Sequence, residues 1–236
     1  MNLTGKVAYI TGGSKGIGFG VAKKLIAEGM KVAISGRTLK TVQQAAEYLG
    51  DTSNVLALKS DVTTLSSEKE AIEKIVATWG QVDVVLANAG LGHFAAVDEI
   101  SEAQWHSMIN TNLNGVFHTL KASVGELKKS KGYYITLASL AGTNFFASGA
   151  GYNATKFGVV GFTQAAMLDL RKYDVKVSTI MPGSVATHFN GNQPDEKDAW
   201  KIQPEDIGEL VLDLLKMHPR TLPSKIEVRP TRPDKK

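Results

Sequence analysis

Short apolar runs alternate with longer amphipathic stretches from one end of the chain to the other. Val7–Thr11, Lys31–Ser35, Val55–Ser60, Val82–Ala87, Tyr133–Ala138, Val175–Ile180 and Ile226–Arg229 are brief and mostly apolar, and read as strands. Between them, apolar residues recur at three- and four-residue intervals, as on one face of a helix. This spacing predicts helices at about Gly16–Glu28, Leu39–Leu49, Leu65–Trp79, Glu102–Lys129, Tyr152–Tyr173 and Pro204–Met217. The Glu102–Lys129 span reads as one helix or two. Strict alternation of strand and helix predicts an α/β class: one parallel, seven-stranded sheet, doubly wound by right-handed crossovers, with helices on both faces. Residues 1–230 read as a single domain with an integral loop at about 184–203, and 231–236 as a basic tail.

Composition narrows the classes. The 236 residues are 43% hydrophobic and 21% charged, enough for one substantial core. There is no cysteine, which removes a disulfide framework, a thiolate nucleophile and a cysteine zinc site. The first strand starts too early for a secretory signal, and no apolar run is long enough to span a membrane, so a cytoplasmic location is expected. The net charge of +4 includes the tail, and no basic stripe interleaved with aromatics points to nucleic acid. The five histidines are scattered, so no metal is expected.

The first strand runs directly into Gly12-Gly13-Ser14-Lys15-Gly16-Ile17-Gly18 and then a helix. A glycine turn between strand and helix lets a pyrophosphate approach backbone amides at the positive end of the helix dipole. A Rossmann-like dinucleotide site is therefore expected. An acid about 20 residues further on would hold the adenosine ribose of NAD. This chain has Arg37 there, followed by Thr38, and Lys15 adds a second cation inside the turn. Two cations without the acid suit a ribose phosphate, predicting NADP(H).

A second constellation lies at Ser139 and Tyr152-Asn153-Ala154-Thr155-Lys156. Tyrosine and lysine four residues apart share a helical face. The lysine is expected to lower the tyrosine pKa and make the phenol a proton donor and acceptor, while the serine holds a carbonyl oxygen. That is proton-moving chemistry suited to a hydride carrier.

Taken together, these residues make the chain resemble the short-chain dehydrogenase/reductase family, compact single-domain type, over essentially its whole length. Thr11 to Gly18 match the family's cofactor motif. Asp61-Val62 match its adenine-contacting pair, Asn88-Ala89-Gly90 its Asn-Ala-Gly element, and Pro182-Gly183-Ser184-Val185-Ala186-Thr187 its Pro-Gly-x-x-x-Thr element. The resemblance implies catalysis by Asn112, Ser139, Tyr152 and Lys156, with Asn112 flanked by the competing Asn110 and Asn114. It implies that Lys156 binds the nicotinamide ribose, Asn112 supports a relay water and Thr187 orients the carboxamide. The resemblance implies a homodimer or homotetramer, with the long helices carrying Asn112 and Tyr152 as the expected contact.

The implied reaction interconverts a ketone or aldehyde and an alcohol on a small-molecule substrate. Two alternatives are a 3-oxoacyl-(acyl-carrier-protein) reductase and a non-catalytic NADP-binding regulator. The ending Ile226-Glu227-Val228-Arg229-Pro230 departs from the glycine-rich close of many acyl-carrier-protein reductases. A nucleotide-sugar epimerase or dehydratase would need a longer chain and a different glycine spacing. His93, Phe94, Phe145, His188 and Phe189, with Phe146, are candidates to line the substrate pocket. The loop at 184–203 reads as polar, with no large apolar wall.

Overall fold

The structure, a computed structural model, describes residues 2–233. Seven strands form one parallel sheet in the order β3-β2-β1-β4-β5-β6-β7. They are β1 (Val7–Thr11), β2 (Lys31–Gly36), β3 (Val55–Lys59), β4 (Val84–Ala87), β5 (Tyr133–Leu137), β6 (Lys176–Pro182) and β7 (Lys225–Val228). The helices are α1 (Gly16–Ala27), α2 (Leu39–Leu49), α3 (Leu65–Trp79), α4 (Glu102–Met108), α5 (Gly115–Ser130), α6 (Ala150–Leu170) and α7 (Pro204–Lys216). The expected doubly wound fold is the one observed, with boundaries displaced by a residue or two.

Strands buried on both faces explain the near-continuous apolar runs. Ala8 and Ile10 of β1 join Val21 and Leu25 of α1 and Ile207 and Val211 of α7 in one core. Val7 and Tyr9 point the other way, into a second core with Ile72 and Ile75 of α3, Leu120 of α5 and Val159 of α6. The chain leaves β1 outward to β3 and returns to β4 on the other side of β1. That reversal opens a crevice at the carboxyl ends of β1 and β4, the usual ligand position in such sheets.

The Glu102–Lys129 span is resolved as α4 and α5 joined by a wider π-helical segment, Ile109–Asn114. A π-segment displaces the regular side-chain progression, often at functional sites. Thr231–Pro233 of the basic tail lie beyond β7 without regular structure, and the rest of that tail, 234–236, falls outside the described residues. Among the described residues, no helix is long and apolar enough to cross a membrane.

Candidate active site

A cleft of about 1290 Å³ runs along the carboxyl ends of the strands. At one end lie Arg37, Thr38, Asp61 and Val62; in the middle Gly12, Ser14–Ile17 and Asn88–Gly90; at the other Ser139, Tyr152, Lys156 and the 182–192 segment. Residues far apart in the sequence thus line one continuous space.

The glycine turn is held by β4. Thr11 Oγ1 accepts hydrogen bonds from the backbone amides of Asn88 and Ala89, both at 3.0 Å. Asn88 Nδ2 donates to the carbonyls of Thr11 at 2.8 Å and Gly12 at 3.1 Å. Gly12 has φ +64, and a Cβ there would stand 3.0 Å from Ala89 Cα. Only glycine meets both demands without strain. Gly18 lies just inside α1, buried under this turn.

Helix α1 starts behind Lys15 and α2 behind Thr38; neither has a side-chain cap, and neither carries an acid in its first turn. Their leading amides retain donor capacity and positive dipole ends at the cleft. Lys15 and Arg37 are exposed beside them, with no ion-pair partner among the described residues. The pyrophosphate of a dinucleotide fits these donors. Asp61 Oδ1 accepts from the Thr63 amide at 3.0 Å and hydroxyl at 2.9 Å, which fixes the turn after β3. Val62 is buried, and its carbonyl meets His118 Nδ1 at 2.8 Å.

Beneath this end lies a polar cluster absent from the sequence reading. Tyr9 Oη donates to Glu68 Oε1 at 3.0 Å and meets Ser35 Oγ at 2.9 Å; Ser60 Oγ donates to the same carboxyl oxygen at 2.6 Å. Ser35 and Ser60 line the cleft, while Tyr9 and Glu68 are fully buried. Burial pushes the Glu68 carboxyl up from its usual range, partly offset by the hydroxyls around it.

At the opposite end, Ser139 begins a 3₁₀ turn after β5, its Oγ accepting from the Ala141 amide at 3.1 Å. Asn153, not singled out by the sequence, ties that turn to α6 by donating to the carbonyls of Ala141 at 2.7 Å and Asn144 at 2.8 Å. Helix α6 begins two residues before Tyr152, so Tyr152 and Lys156 share its cleft face. Asn112 is buried in the π-segment, whereas Asn110 and Asn114 are exposed and bonded to each other at 3.0 Å. Asn112 Nδ2 donates to the Leu91 carbonyl at 2.8 Å and to Thr155 Oγ1 at 3.1 Å, and its Oδ1 accepts from the Leu91 amide at 2.9 Å. Its side chain is therefore committed to joining the β4 loop to α6.

The electrostatics correct one expectation. Burial pushes the Tyr152 phenol up to about 12, with the Ser139 hydroxyl pulling the other way. Lys156 Nζ, 5.6 Å from the Tyr152 ring centroid, does not reverse this, and burial pushes the lysine itself down to about 8. Both groups share the same desolvation, and for the phenol that penalty outweighs its neighbours. The phenol thus stays protonated across neutral pH. Lys156 Nζ donates to the Leu137 carbonyl at 2.9 Å, leaving donor capacity on a buried ammonium.

Of the expected pocket residues, His93, His188 and Phe189 line the cleft, and Phe94 packs its ring edge on Tyr152 with centroids 5.4 Å apart. Phe145 does not: it is 85% exposed, and its neighbour Phe146 lines the cleft instead. Successive residues on the irregular segment after the 3₁₀ turn point apart, so only one of the pair faces inward. Pro182 closes β6, and Gly183, Val185 and Thr187 follow it along the cleft wall.

Fold and cleft together define a nucleotide-binding α/β oxidoreductase. Residues 6–198 match the family model for short chain dehydrogenases, and the chain belongs to the short-chain dehydrogenase/reductase family. An uncharacterized oxidoreductase of Staphylococcus aureus (strain MRSA252) is 36% identical over 229 residues, 97% of this chain and 98% of that one. The alcohol dehydrogenase of the archaeon Thermococcus sibiricus, solved with 5-hydroxy-NADP, superposes with TM-score 0.90 at 33% identity, covering 98% of this chain and 99% of that one. A 3-ketoacyl-(acyl-carrier-protein) reductase from Brucella melitensis, solved with NADH, gives TM-score 0.89 at 26% identity, again over 98% and 99%.

Proposed function

We propose that this protein is an NADP(H)-dependent oxidoreductase that interconverts a carbonyl and an alcohol, with Tyr152 as general acid in the reductive direction. The observation that carries this reading is a buried phenol, held protonated, beside Ser139 and Lys156 at the end of a dinucleotide-sized cleft. When bound, the nicotinamide supplies the hydride. Ser139 holds the substrate oxygen, and Tyr152 delivers a proton to it as negative charge develops there. Lys156 binds the nicotinamide ribose and offsets charge on Tyr152 after transfer. Asn112 positions the Leu91 loop against α6, and Thr187 orients the carboxamide. Lys15, Arg37 and the start of α2 favour the ribose phosphate of NADP(H) over the bare hydroxyl of NAD(H). The NADP-bound alcohol dehydrogenase neighbour supports this choice; the NADH-bound reductase is why it needs a direct test.

We further propose a homo-oligomer contacting through α5 and α6. Phe117 on α5 and Phe157 and Leu168 on α6 are 46%, 43% and 58% exposed, a concentration of apolar surface suited to a partner copy.

The central test is Tyr152→Phe. Loss of the proton donor is expected to reduce NADPH-linked turnover by about 10²–10⁴-fold, while NADPH affinity, read by cofactor fluorescence, stays within about twofold. A variant with near-normal turnover would refute the assignment.

A further inference from the structure

Three loops far apart in the sequence bring phenyl rings to the Tyr152 end of the cleft. Phe94 follows β4, Phe146 follows the Ser139 turn, and Phe189 lies in the segment after β6. Phe94 and Phe189 pack on the Tyr152 ring with centroids 5.4 and 5.7 Å away, at 69° and 55°. Phe94 also meets Phe146 at 5.8 Å and Phe189 at 6.4 Å. Such tilted and edge-on contacts are the preferred geometry of aromatic clusters. Yet the cluster is not sealed: Phe94 is 41% and Phe146 48% exposed. Gly92 admits the packing, since a Cβ there would come within 2.8 Å of the Phe189 ring and 3.1 Å of Phe94. Leu91, Leu140, Ala141 and Trp200 extend the apolar lining.

The cations along the cleft are committed elsewhere. Lys201 is paired with Asp198 at 2.6 Å and Arg229 with Glu227 at 2.9 Å. Lys156 bonds the Leu137 carbonyl, and Lys15 and Arg37 stand at the glycine turn and the end of β2. Among the described residues, the one cation at the aromatic end without a carboxylate partner is Lys156, which is buried 5.6 Å from the Tyr152 ring centroid and bonded to the Leu137 carbonyl. A substrate carboxylate among the phenyl rings would lose water while the only unpaired ammonium stays buried at the Leu137 carbonyl. His93 and His188 can still bond a second neutral oxygen.

We infer that the aromatic end of this cleft selects neutral carbonyl compounds carrying an aryl or similarly flat apolar substituent, which packs among Phe94, Phe146 and Phe189. The inference deepens the carbonyl-reductase reading and rests on it. The loop at 184–203 taken alone offers no large apolar wall; the aromatic wall forms only where that loop meets the segments carrying Phe94 and Phe146.

The test compares ethyl benzoylformate, benzoylformate and ethyl pyruvate with NADPH and the intact protein at pH 7.5. The expected kcat/KM for the aryl ester exceeds that for either other compound by about tenfold, a difference near 1.4 kcal/mol. In Phe189→Ala the ratio of aryl ester to ethyl pyruvate is expected to fall at least about fivefold, mainly through KM. Phe189 is half-buried on a short 3₁₀ turn outside the sheet and the long helices, so circular dichroism of the variant should match the parent. Equal turnover of the two esters, or an unchanged ratio in Phe189→Ala, overturns the substrate class and leaves the reductase standing. Preference for benzoylformate also overturns it, pointing to His93 or His188 as a carboxylate partner. No NADPH oxidation with any of the three would overturn the reductase reading itself.

Discussion

Lys156 is the group whose function opposes stability most directly. Burial alone lowers it from 10.5 to about 8. At about 1.4 kcal/mol per tenfold change in proton affinity, keeping this ammonium charged in the fold costs about 3 kcal/mol. Lys156→Met fills similar volume without the charge, but leaves the Leu137 carbonyl unpartnered, a loss of about 1 kcal/mol. The expected net gain is about 2 kcal/mol, or roughly 4–8 °C in Tm for a domain of this size. Below pH 8 both folded and unfolded lysine are protonated, so the cost is fully present. Between pH 8 and 10.5 the folded chain has released a proton that the unfolded chain still holds, so wild-type stability rises relative to the variant. The assay is thermal unfolding of both proteins, free of cofactor and at equal concentration, at pH 7 and pH 10. Lys156→Met should unfold several degrees higher at pH 7, with most of that gap gone at pH 10, and should have lost turnover. A variant no more stable than wild type at pH 7 would show that the buried charge costs nothing, and the reasoning would fail.

Two further outcomes are expected. Arg37→Asp removes a cation from the end of β2 and places an anion near the ribose phosphate, so the NADPH-to-NADH ratio of kcat/KM should fall by about 10–100-fold, in line with about 1.5–3 kcal/mol for a charged hydrogen bond; an unchanged ratio would exclude Arg37 from cofactor choice. Phe157→Asp puts a charge on the exposed face of α6 and should shift the protein to a smaller species in light scattering at micromolar concentration, whereas an unaltered mass would place any self-association elsewhere.

Local patterns carried most of the architecture. Strand runs buried on both faces, the glycine turn and the Tyr152–Lys156 spacing each depend on residues close in sequence, and each was legible there. What escaped depends on three-dimensional meeting points. Asn110, Asn112 and Asn114 are indistinguishable by type; only the π-segment decides which turns inward. Phe145 and Phe146 differ only in the direction the chain takes after a 3₁₀ turn. Tyr9 reads as an ordinary strand residue and Glu68 as a favourable charge in the first turn of α3, yet they meet inside the core. The Tyr152 pKa was misjudged because sequence spacing displays the nearby lysine but not the desolvation that outweighs it.

The bare starts of α1 and α2 carry a consequence outside catalysis. If a dinucleotide's anionic groups complete these helix ends, the ligand is also a missing piece of the scaffold, and the cleft edge should open most readily when it is absent. Breathing at that edge would expose the segments after β1 and β2 to proteolysis. The protein's lifetime would then follow the concentration of free dinucleotide around it.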